Sequence, residues 1–261
     1  MISDEAKPDA PQAAEMIQII WSFMATQSLH VAAKLKIADI LNSGPKTAHE
    51  VADACSAQEY PLRRLMRYLT AIGTLTEDES GRFSCTALGD LLRSDHPQSV
   101  RDMAVMYGER FWWRSWGDLY ETVKTGQPAF DRVHGEPFFE YLSHTPVDAA
   151  FFNAGMTSGT NVDVENIVAA YDFSGMRRIV DVAGGHGALL RGILERYPDC
   201  TGVLCDLPSV VAGAGDLRQS AVAARCEFIP ADIFQAVPPG GDAYILKRIL
   251  QTGMTTRPSR S

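Results

Sequence analysis

Two patterns of apolar residues divide the chain into a helical first part and a second part in which strands alternate with helices. Near the start, four apolar residues at i, i+3, i+4 and i+7 mark one helical face: Ile17, Ile20, Trp21 and Met24. The apolar residues from 31 to 41 predict a second helix, which the Asn-Ser-Gly-Pro sequence at 42–45 ends. The chain is therefore expected to open with two helices.

The following segment has the pattern of two helices and a hairpin. Thr47 and Glu50 have the spacing of a capping box, which predicts a helix start. Another apolar helical face runs from 62 to 72, and Gly73 is suited to end that helix. Residues 75–77 and 82–84, separated by Asp-Glu-Ser-Gly, predict a short hairpin. Together these elements predict a winged helix.

A winged helix allows two interpretations. Winged helices often bind DNA, and Arg63, Arg64 and Arg67 on the predicted helix before the hairpin could contact phosphates. The alternative is that these arginines form a solvated face and that the motif serves dimerisation. We favour the second, because many acidic residues surround the arginines and the chain carries a net charge of −8. A winged-helix regulator remains the rival hypothesis.

Residues from about 99 to 160 predict further helices that are rich in large aromatic side chains. Aromatic residues at helical spacing most often belong to a hydrophobic core. A few of them could instead line a pocket for a flat ligand, and Met156 is a candidate because its flexible thioether adapts to a ring face.

The second part begins with a strand, a glycine-rich loop and a helix. The apolar run Ile179–Val182 is followed at once by Ala-Gly-Gly-His-Gly at 183–187, and an apolar helical face continues to Leu194. This unit is typical of an open parallel α/β sheet that binds a nucleotide-like ligand. The dinucleotide fingerprint GxGxxG fails here, because its sixth position is Leu190.

Polar residues stand at the ends of the next three predicted strands. Asp206 ends the strand at 202–205, about 20 residues beyond the glycine loop, and is suited to accept hydrogen bonds from ribose hydroxyls. Asp232 follows the strand at 226–229 and could accept from an adenine amino group, while Ile233 packs on the ring. Lys247 ends the strand at 243–246. The alternative is that the two aspartates only cap the helices that follow, but their position at successive strand ends favours a ligand crevice.

Composition excludes several classes of protein. Acidic residues outnumber basic ones, 32 to 24, which argues against a general nucleic-acid binder. No apolar run approaches the length of a membrane span, and the acidic start is unlike a signal peptide. The five cysteines contain no CxxC pair, which argues against a disulfide framework or a zinc site. We therefore expect a cytoplasmic protein without a bound metal, a nucleic-acid partner or a membrane anchor.

Four motifs stand in order along the chain: Asp-Val-Ala-Gly-Gly-His-Gly at 181–187, Asp-Leu-Pro at 206–208, Ala-Asp-Ile-Phe at 231–234 and Leu-Lys-Arg-Ile-Leu at 246–250. This series closely resembles the S-adenosylmethionine-dependent O-methyltransferases that act on phenols, flavonoids and bacterial polyketides. The resemblance extends to the N-terminal winged-helix region and to Phe-Asn-Ala-Gly-Met at 152–156.

The resemblance implies a role for individual residues. Gly184 and its neighbours would contact the methionine part of S-adenosylmethionine, Asp206 the ribose, and Asp232 with Ile233 the adenine. Lys247 would lie beside the cofactor. Phe152 and Met156 match positions of the acceptor pocket. Ala183 departs from the family, which usually has the first of three glycines there, and its methyl group should be tolerated if the residue faces the sheet.

Gln251 stands where the family has the histidine that deprotonates the acceptor hydroxyl. Glutamine has no titratable nitrogen and cannot act as the general base, so no residue is assigned that role. The family's later strands and helices are absent as well, which predicts a truncated chain that is poorly soluble and has little activity. The codons of Gln-Thr-Gly-Met-Thr at 251–255 can be chosen so that one inserted base restores His-Asp-Trp. We hypothesise a one-base frameshift at codon 251, real or from sequencing.

These observations predict an α/β protein in which a helical winged-helix dimerisation domain precedes an incomplete, Rossmann-like class I methyltransferase domain. The expected divisions are a dimerisation domain at 1–100, a helical linker and acceptor-pocket region at 101–165, a cofactor domain at 166–250 and a frameshifted tail at 251–261. We expect a homodimer that transfers a methyl group from S-adenosylmethionine to a hydroxyl of a small aromatic or polyketide-like acceptor. A cofactor-binding relative that no longer transfers methyl groups is the alternative within the same fold.

Overall fold

The computed structural model describes residues 10–249, which form parts of two compact units that divide after Gly135. The finer divisions expected at residues 100, 165 and 250 stay predictions. Gln251 and the rest of the tail lie outside the described residues.

The first unit is mainly helical and contains a small sheet. Its helices are α1 (Ala10–Lys34), α2 (Ile37–Leu41), α3 (Ala48–Cys55), α4 (Glu59–Ala71), α5 (Ala87–Asp90), α6 (Arg101–Gly108), α7 (Arg110–Trp116), α8 (Leu119–Thr125) and α9 (Ala129–His134). Its strands are β1 (Lys46–Thr47), β2 (Leu75–Glu77) and β3 (Arg82–Cys85), and the antiparallel sheet has the order β1-β3-β2.

The second predicted helix, at 31–41, is wrong as a single element. α1 extends through Val31 to Lys34, and the backbone of Lys36 then takes a left-handed conformation with φ 55°. A left-handed residue interrupts the helical hydrogen-bonding pattern, so only the short helix α2 follows.

The winged-helix prediction is confirmed in its main parts. Glu50 N donates to Thr47 Oγ1 at 3.3 Å and Thr47 N donates to Glu50 Oε2 at 2.7 Å, which completes the capping box of α3. α4 ends at Ala71, and Gly73 follows with φ 80°. The hairpin forms between β2 and β3, and it gains the two-residue strand β1, which is too short to give an alternating pattern.

The core of the first unit lies between the winged-helix elements. Its largest fully buried side chains include Ile37, Val51, Met66, Leu69 and Phe83. The opposite side of α4 is solvated, and two of its three arginines take part in surface ion pairs: Arg63 with Glu59 at 2.9 Å and Arg67 with Glu77 at 3.2 Å.

α1 is attached to the rest of the first unit by its C-terminal half. There, buried His30 lies with Nδ1 2.9 Å from the carbonyl oxygen of Val105 on α6. The N-terminal half instead presents large apolar side chains to solvent, and Ile20, Trp21 and Phe23 are each more than half exposed.

The second unit is an α/β structure. Its helices are α10 (Phe138–His144), α11 (Pro146–Ala170), α12 (Ala188–Arg196), α13 (Pro208–Ala212) and α14 (Gly215–Arg218), followed by a 3-10 turn at Ala223–Arg225. Its strands are β4 (Arg178–Val182), β5 (Thr201–Asp206), β6 (Cys226–Pro230) and β7 (Ala243–Ile245). The four strands are parallel and lie in the order β6-β5-β4-β7.

The apolar runs of the sequence form the interior of this unit. Ile179 and Leu204 on adjacent strands are fully buried, together with Leu190, Ile193 and Leu194 of α12. A parallel strand that helices cover is apolar along its length, which explains the continuous runs. Between residues 10 and 249, no helix combines the length and the apolar character that a membrane crossing requires.

Candidate cofactor site

The four parallel strands bring the predicted cofactor residues to one edge of the sheet. The carboxyl ends of parallel strands meet at the same edge, and ligands of open α/β sheets bind there. β4 leads into the glycine loop, β5 ends at Asp206, β6 is followed by Asp232, and β7 is followed by Lys247.

Asp206 is held in place by backbone amides. Gly185 N donates to Asp206 Oδ2 at 2.8 Å, and Leu207 N donates to Oδ1 at 2.7 Å. The residue is 9% exposed, and burial raises the pKa of its carboxyl group, against the effect of these two amides and of nearby His186. Each oxygen keeps a lone pair, so a fixed carboxylate remains able to accept bonds from a pair of hydroxyls.

The glycine loop has one tightly packed glycine and one open one. A Cβ at Gly184 would lie 2.6 Å from Asp181 Oδ2, so no side chain fits there. Gly185 has φ +62°, and nothing lies within 4 Å of the position of its absent Cβ. The backbone of Gly185 is therefore open to the approach of a ligand.

Asp181 was quoted in the motif but not assigned a role from the sequence. It lies on β4, is 2% exposed, and its Oδ2 has no hydrogen-bond partner among the described residues. Burial, followed by the negative charge of Asp206, raises its pKa to about 7, while the amide of Leu190 and the charge of Lys247 act in the opposite direction. An acidic residue within the otherwise apolar run Ile-Val-Asp-Val was the sequence signal that could have singled out Asp181. Burying a carboxyl group without a hydrogen-bond partner costs free energy.

The backbone of Ala183 has an unusual conformation for a residue with a side chain. Its backbone has φ +52°, in the left-handed region that favours glycine, and its N–H donates to the carbonyl of Cys205 at 2.7 Å. The departure from the family's glycine therefore carries a backbone cost that the sequence alone did not indicate.

His186, in the same loop, is half-buried, with its ring against Gly213 after α13. Burial lowers its pKa, against the charges of Asp206 and Asp216. The imidazole therefore packs the glycine loop against the segment that follows β5.

Asp232 caps a turn at the end of β6. Phe234 N donates to its Oδ1 at 3.0 Å, and Gln235 Nε2 donates to its Oδ2 at 3.1 Å. Ile233 packs against the buried cluster of Val180, Val182 and Val203. The capping role is thus present, and adenine binding by Asp232 and Ile233 stays a prediction.

Lys247 lies against α11. Its Nζ donates to Thr160 Oγ1 at 3.0 Å and pairs with Asp163 Oδ2 at 3.0 Å, and its side chain is 19% exposed. Its positive charge also acts to lower the pKa of Asp181, against the larger opposite effect of burial. Neither partner on α11 was singled out from the sequence, because a contact 87 residues distant leaves no local pattern.

The two acceptor candidates lie four residues apart on α11. The Phe152 ring packs edge-to-face on those of Phe138 and Phe139, with centroids 5.0 and 6.3 Å apart. The half-buried Met156 follows on the same helical face. The structure thus brings these side chains to one face of one helix of the second unit.

The second unit also has a groove of about 750 Å³ between α11 and α12, lined in part by Val168, Gly192 and Tyr197. Tyr197 follows the C-terminal end of α12, whereas the glycine loop precedes its N-terminal end. The groove is therefore separate from the strand edge that carries Asp206.

Comparison with known protein families gives two matches that follow one another along the chain. Residues 17–95 match the O-methyltransferase dimerisation domain, and residues 116–253 match the O-methyltransferase domain.

Individual proteins similar to this chain indicate the same family. The chain is 39% identical to phenazine O-methyltransferase PhzM of Lysobacter antibioticus over 92% of this chain and 70% of that protein. The crystal structure of LaPhzM has a TM-score of 0.86 at 39% identity, covering 91% of this chain and 71% of the other. Human N-acetylserotonin methyltransferase, solved with S-adenosylmethionine, has a TM-score of 0.83 at 25% identity over 94% of this chain and 72% of the other. The chain therefore belongs to the S-adenosylmethionine-dependent O-methyltransferases that carry an N-terminal dimerisation domain.

Proposed function

We propose that this chain binds S-adenosylmethionine at the carboxyl edge of its parallel sheet and directs the methyl group to a hydroxyl of a small aromatic or polyketide-like acceptor. The observation that carries the proposal is the hydrogen bond from Gly185 N to Asp206 Oδ2, because it joins an open loop backbone to a fixed carboxylate at the ligand-binding edge. The relatives' reactions support the acceptor class, since the Lysobacter protein is a phenazine O-methyltransferase.

The described residues suit this cofactor by their charges and their hydrogen-bonding groups. S-adenosylmethionine supplies an electrophilic methyl group on a positively charged sulfur. Asp206 would accept hydrogen bonds from the ribose hydroxyls, and Asp232 with Ile233 would hold the adenine. The buried Asp181 oxygen without a partner suits a site whose ligand brings positive charge, because a cation would compensate its carboxylate.

Phe152 and Met156 would hold the flat acceptor. An aromatic face and a thioether supply dispersion contact without requiring a fixed pattern of hydrogen bonds, which suits a ring system. Their placement on one helix fixes the acceptor relative to α11, and alignment of the acceptor oxygen with the methyl group accelerates transfer. No proton acceptor is assigned, because the glutamine at position 251 has no titratable nitrogen.

The dimerisation domain supports a homodimer, with the exposed N-terminal half of α1 in the contact between copies. Exposed, contiguous apolar side chains mark interaction surfaces in soluble proteins. Sedimentation velocity tests this point: the chain should sediment as a dimer, and Trp21→Glu should weaken the dimer far more than Ser22→Glu at the neighbouring exposed position. A well-folded wild-type monomer at micromolar concentration would contradict it.

Calorimetric titration tests the site. S-adenosylhomocysteine should bind the 261-residue chain, and a panel of hydroxylated aromatic compounds should bind the resulting complex. The double substitution Phe152→Ala with Met156→Ala should weaken binding of the aromatic compounds while leaving the affinity for S-adenosylhomocysteine unchanged. Acceptor affinity that survives both substitutions would remove α11 from the acceptor site, and binding of only the amino counterparts of the hydroxyl compounds would overturn the acceptor class.

A further inference from the structure

Lys247 joins the end of β7 to α11 through two contacts. Nζ lies 3.0 Å from both Thr160 Oγ1 and Asp163 Oδ2, so a hydroxyl and a carboxylate fix one ammonium group. A lysine side chain otherwise keeps considerable rotamer freedom, which these contacts remove.

Asp163 forms ion pairs with two basic side chains that follow β7. The same oxygen, Oδ2, lies 3.6 Å from Arg248 Nη2. The carboxylate therefore provides a negative charge on α11 opposite two consecutive basic residues of the Leu-Lys-Arg-Ile-Leu segment.

Thr160 continues the connection toward the acceptor positions. Its hydroxyl donates to the carbonyl oxygen of Met156 at 2.8 Å while it accepts from Lys247. Phe152, Met156 and Thr160 are spaced four residues apart, and Asp163 follows three residues later, so all four lie on the same side of α11. One rigid helix thus carries both the acceptor candidates and the partners of Lys247.

We propose that Asp163 is a positioning residue that holds Lys247 at the cofactor edge and fixes this edge relative to the acceptor-binding part of α11. The inference rests on the proposed function, in which Lys247 lies beside the bound cofactor. The positive charge of Lys247 also favours the ionised form of buried Asp181. Movement of the Lys247 ammonium group therefore changes the electrostatic environment of the site. Loss of the Asp163 carboxylate releases Lys247 and weakens cofactor binding.

Calorimetric titration of the 261-residue chain with S-adenosylhomocysteine tests the inference. Asp163→Asn keeps the shape of the side chain and removes its charge, and it should weaken affinity about three- to tenfold, in keeping with the loss of one partly buried ion pair. Glu165→Gln, on the same helix but exposed, is the matched control and should bind as the wild type does. Thr160→Val should act in the same direction with a smaller effect, and thermal unfolding checks that each variant is folded.

A double-mutant cycle separates positioning from a purely structural effect. In a Lys247→Met background, Asp163→Asn should cause no further loss, because the group that it positions is gone. An unchanged affinity of Asp163→Asn, or a loss that adds fully to that of Lys247→Met, would overturn the role of Asp163 while the cofactor site stands. If the wild-type chain does not bind S-adenosylhomocysteine, the proposed function fails and this inference fails with it.

Discussion

The backbone N–H of Gly185 donates a hydrogen bond to Asp206 Oδ2 at 2.8 Å and so joins the glycine loop after β4 to the end of β5. The amide of Leu207 fixes the second oxygen of the same carboxylate. A ligand at this edge meets an acceptor group that is already oriented, which reduces the ordering that binding requires.

Asp206→Ala should therefore weaken S-adenosylhomocysteine binding by about 1–3 kcal/mol, the range for leaving buried partners without a hydrogen bond. Asp199→Asn is the control, because Asp199 is exposed and precedes the opposite end of β5. Calorimetry measures both. Equal affinities of Asp206→Ala and the wild type would remove Asp206 from the site.

Asp181 should make stability depend on pH. Its pKa is raised to about 7 by burial and by Asp206, whereas a carboxyl in an unfolded chain titrates near its ordinary value. Between these values the folded protein holds a proton that the unfolded chain has released, so this contribution to stability is present at low pH and falls as the pH rises toward 7.

Asp181→Asn should remove that contribution. The difference in unfolding free energy between about pH 5 and 8 should change by roughly 2–3 kcal/mol relative to the wild type. Denaturant titrations at several pH values measure it, with Asp199→Asn as the variant that keeps the wild-type slope. A pH profile that Asp181→Asn leaves unaltered would show that the carboxyl is ionised throughout.

Ala183→Gly should stabilise the chain, since the residue has φ +52°. Glycine adopts this conformation without steric strain, and the expected gain is about 0.5–1 kcal/mol after the greater freedom of the unfolded chain is subtracted. Ala150→Gly, exposed and within α11, provides the contrast and should cost about 1 kcal/mol. Thermal or urea unfolding in which Ala183→Gly is as destabilising as Ala150→Gly would contradict the strained geometry.

Arg225 should contribute to the stability of the second unit. Its guanidinium donates to the carbonyl oxygens of Leu194, Tyr197 and Cys200 at 2.6–3.2 Å, at the C-terminal end of α12. Arg225→Met leaves these acceptors without their donor and removes a cation from the negative end of a helix, for an expected loss of about 1–3 kcal/mol.

Arg177→Met is the control for Arg225, because Arg177 is exposed. Urea unfolding followed by circular dichroism measures both variants. A transition midpoint for Arg225→Met that coincides with that of Arg177→Met would show that the three contacts contribute no net stability.

Local pattern was sufficient to predict the strand ends, the glycine loop and the hairpin, because each is governed by nearby apolar spacing and turn residues. The strands near Ile179, Gly202, Cys226 and Ala243 form within a residue or two of their expected bounds. The break at Lys36 was missed, since no apolar periodicity reports a left-handed lysine. Asp181 shows the second limit of prediction from local sequence, because its burial and its unpaired oxygen depend on residues that only folding brings together.

The most direct measurement is a crystal structure of the chain with S-adenosylhomocysteine bound. The ribose hydroxyls should lie within about 2.5–3.0 Å of the Asp206 oxygens, as expected for O–H···O bonds, and the methionine part of the ligand should lie over Gly185. A ligand bound elsewhere, or a ribose out of reach of Asp206, would contradict it.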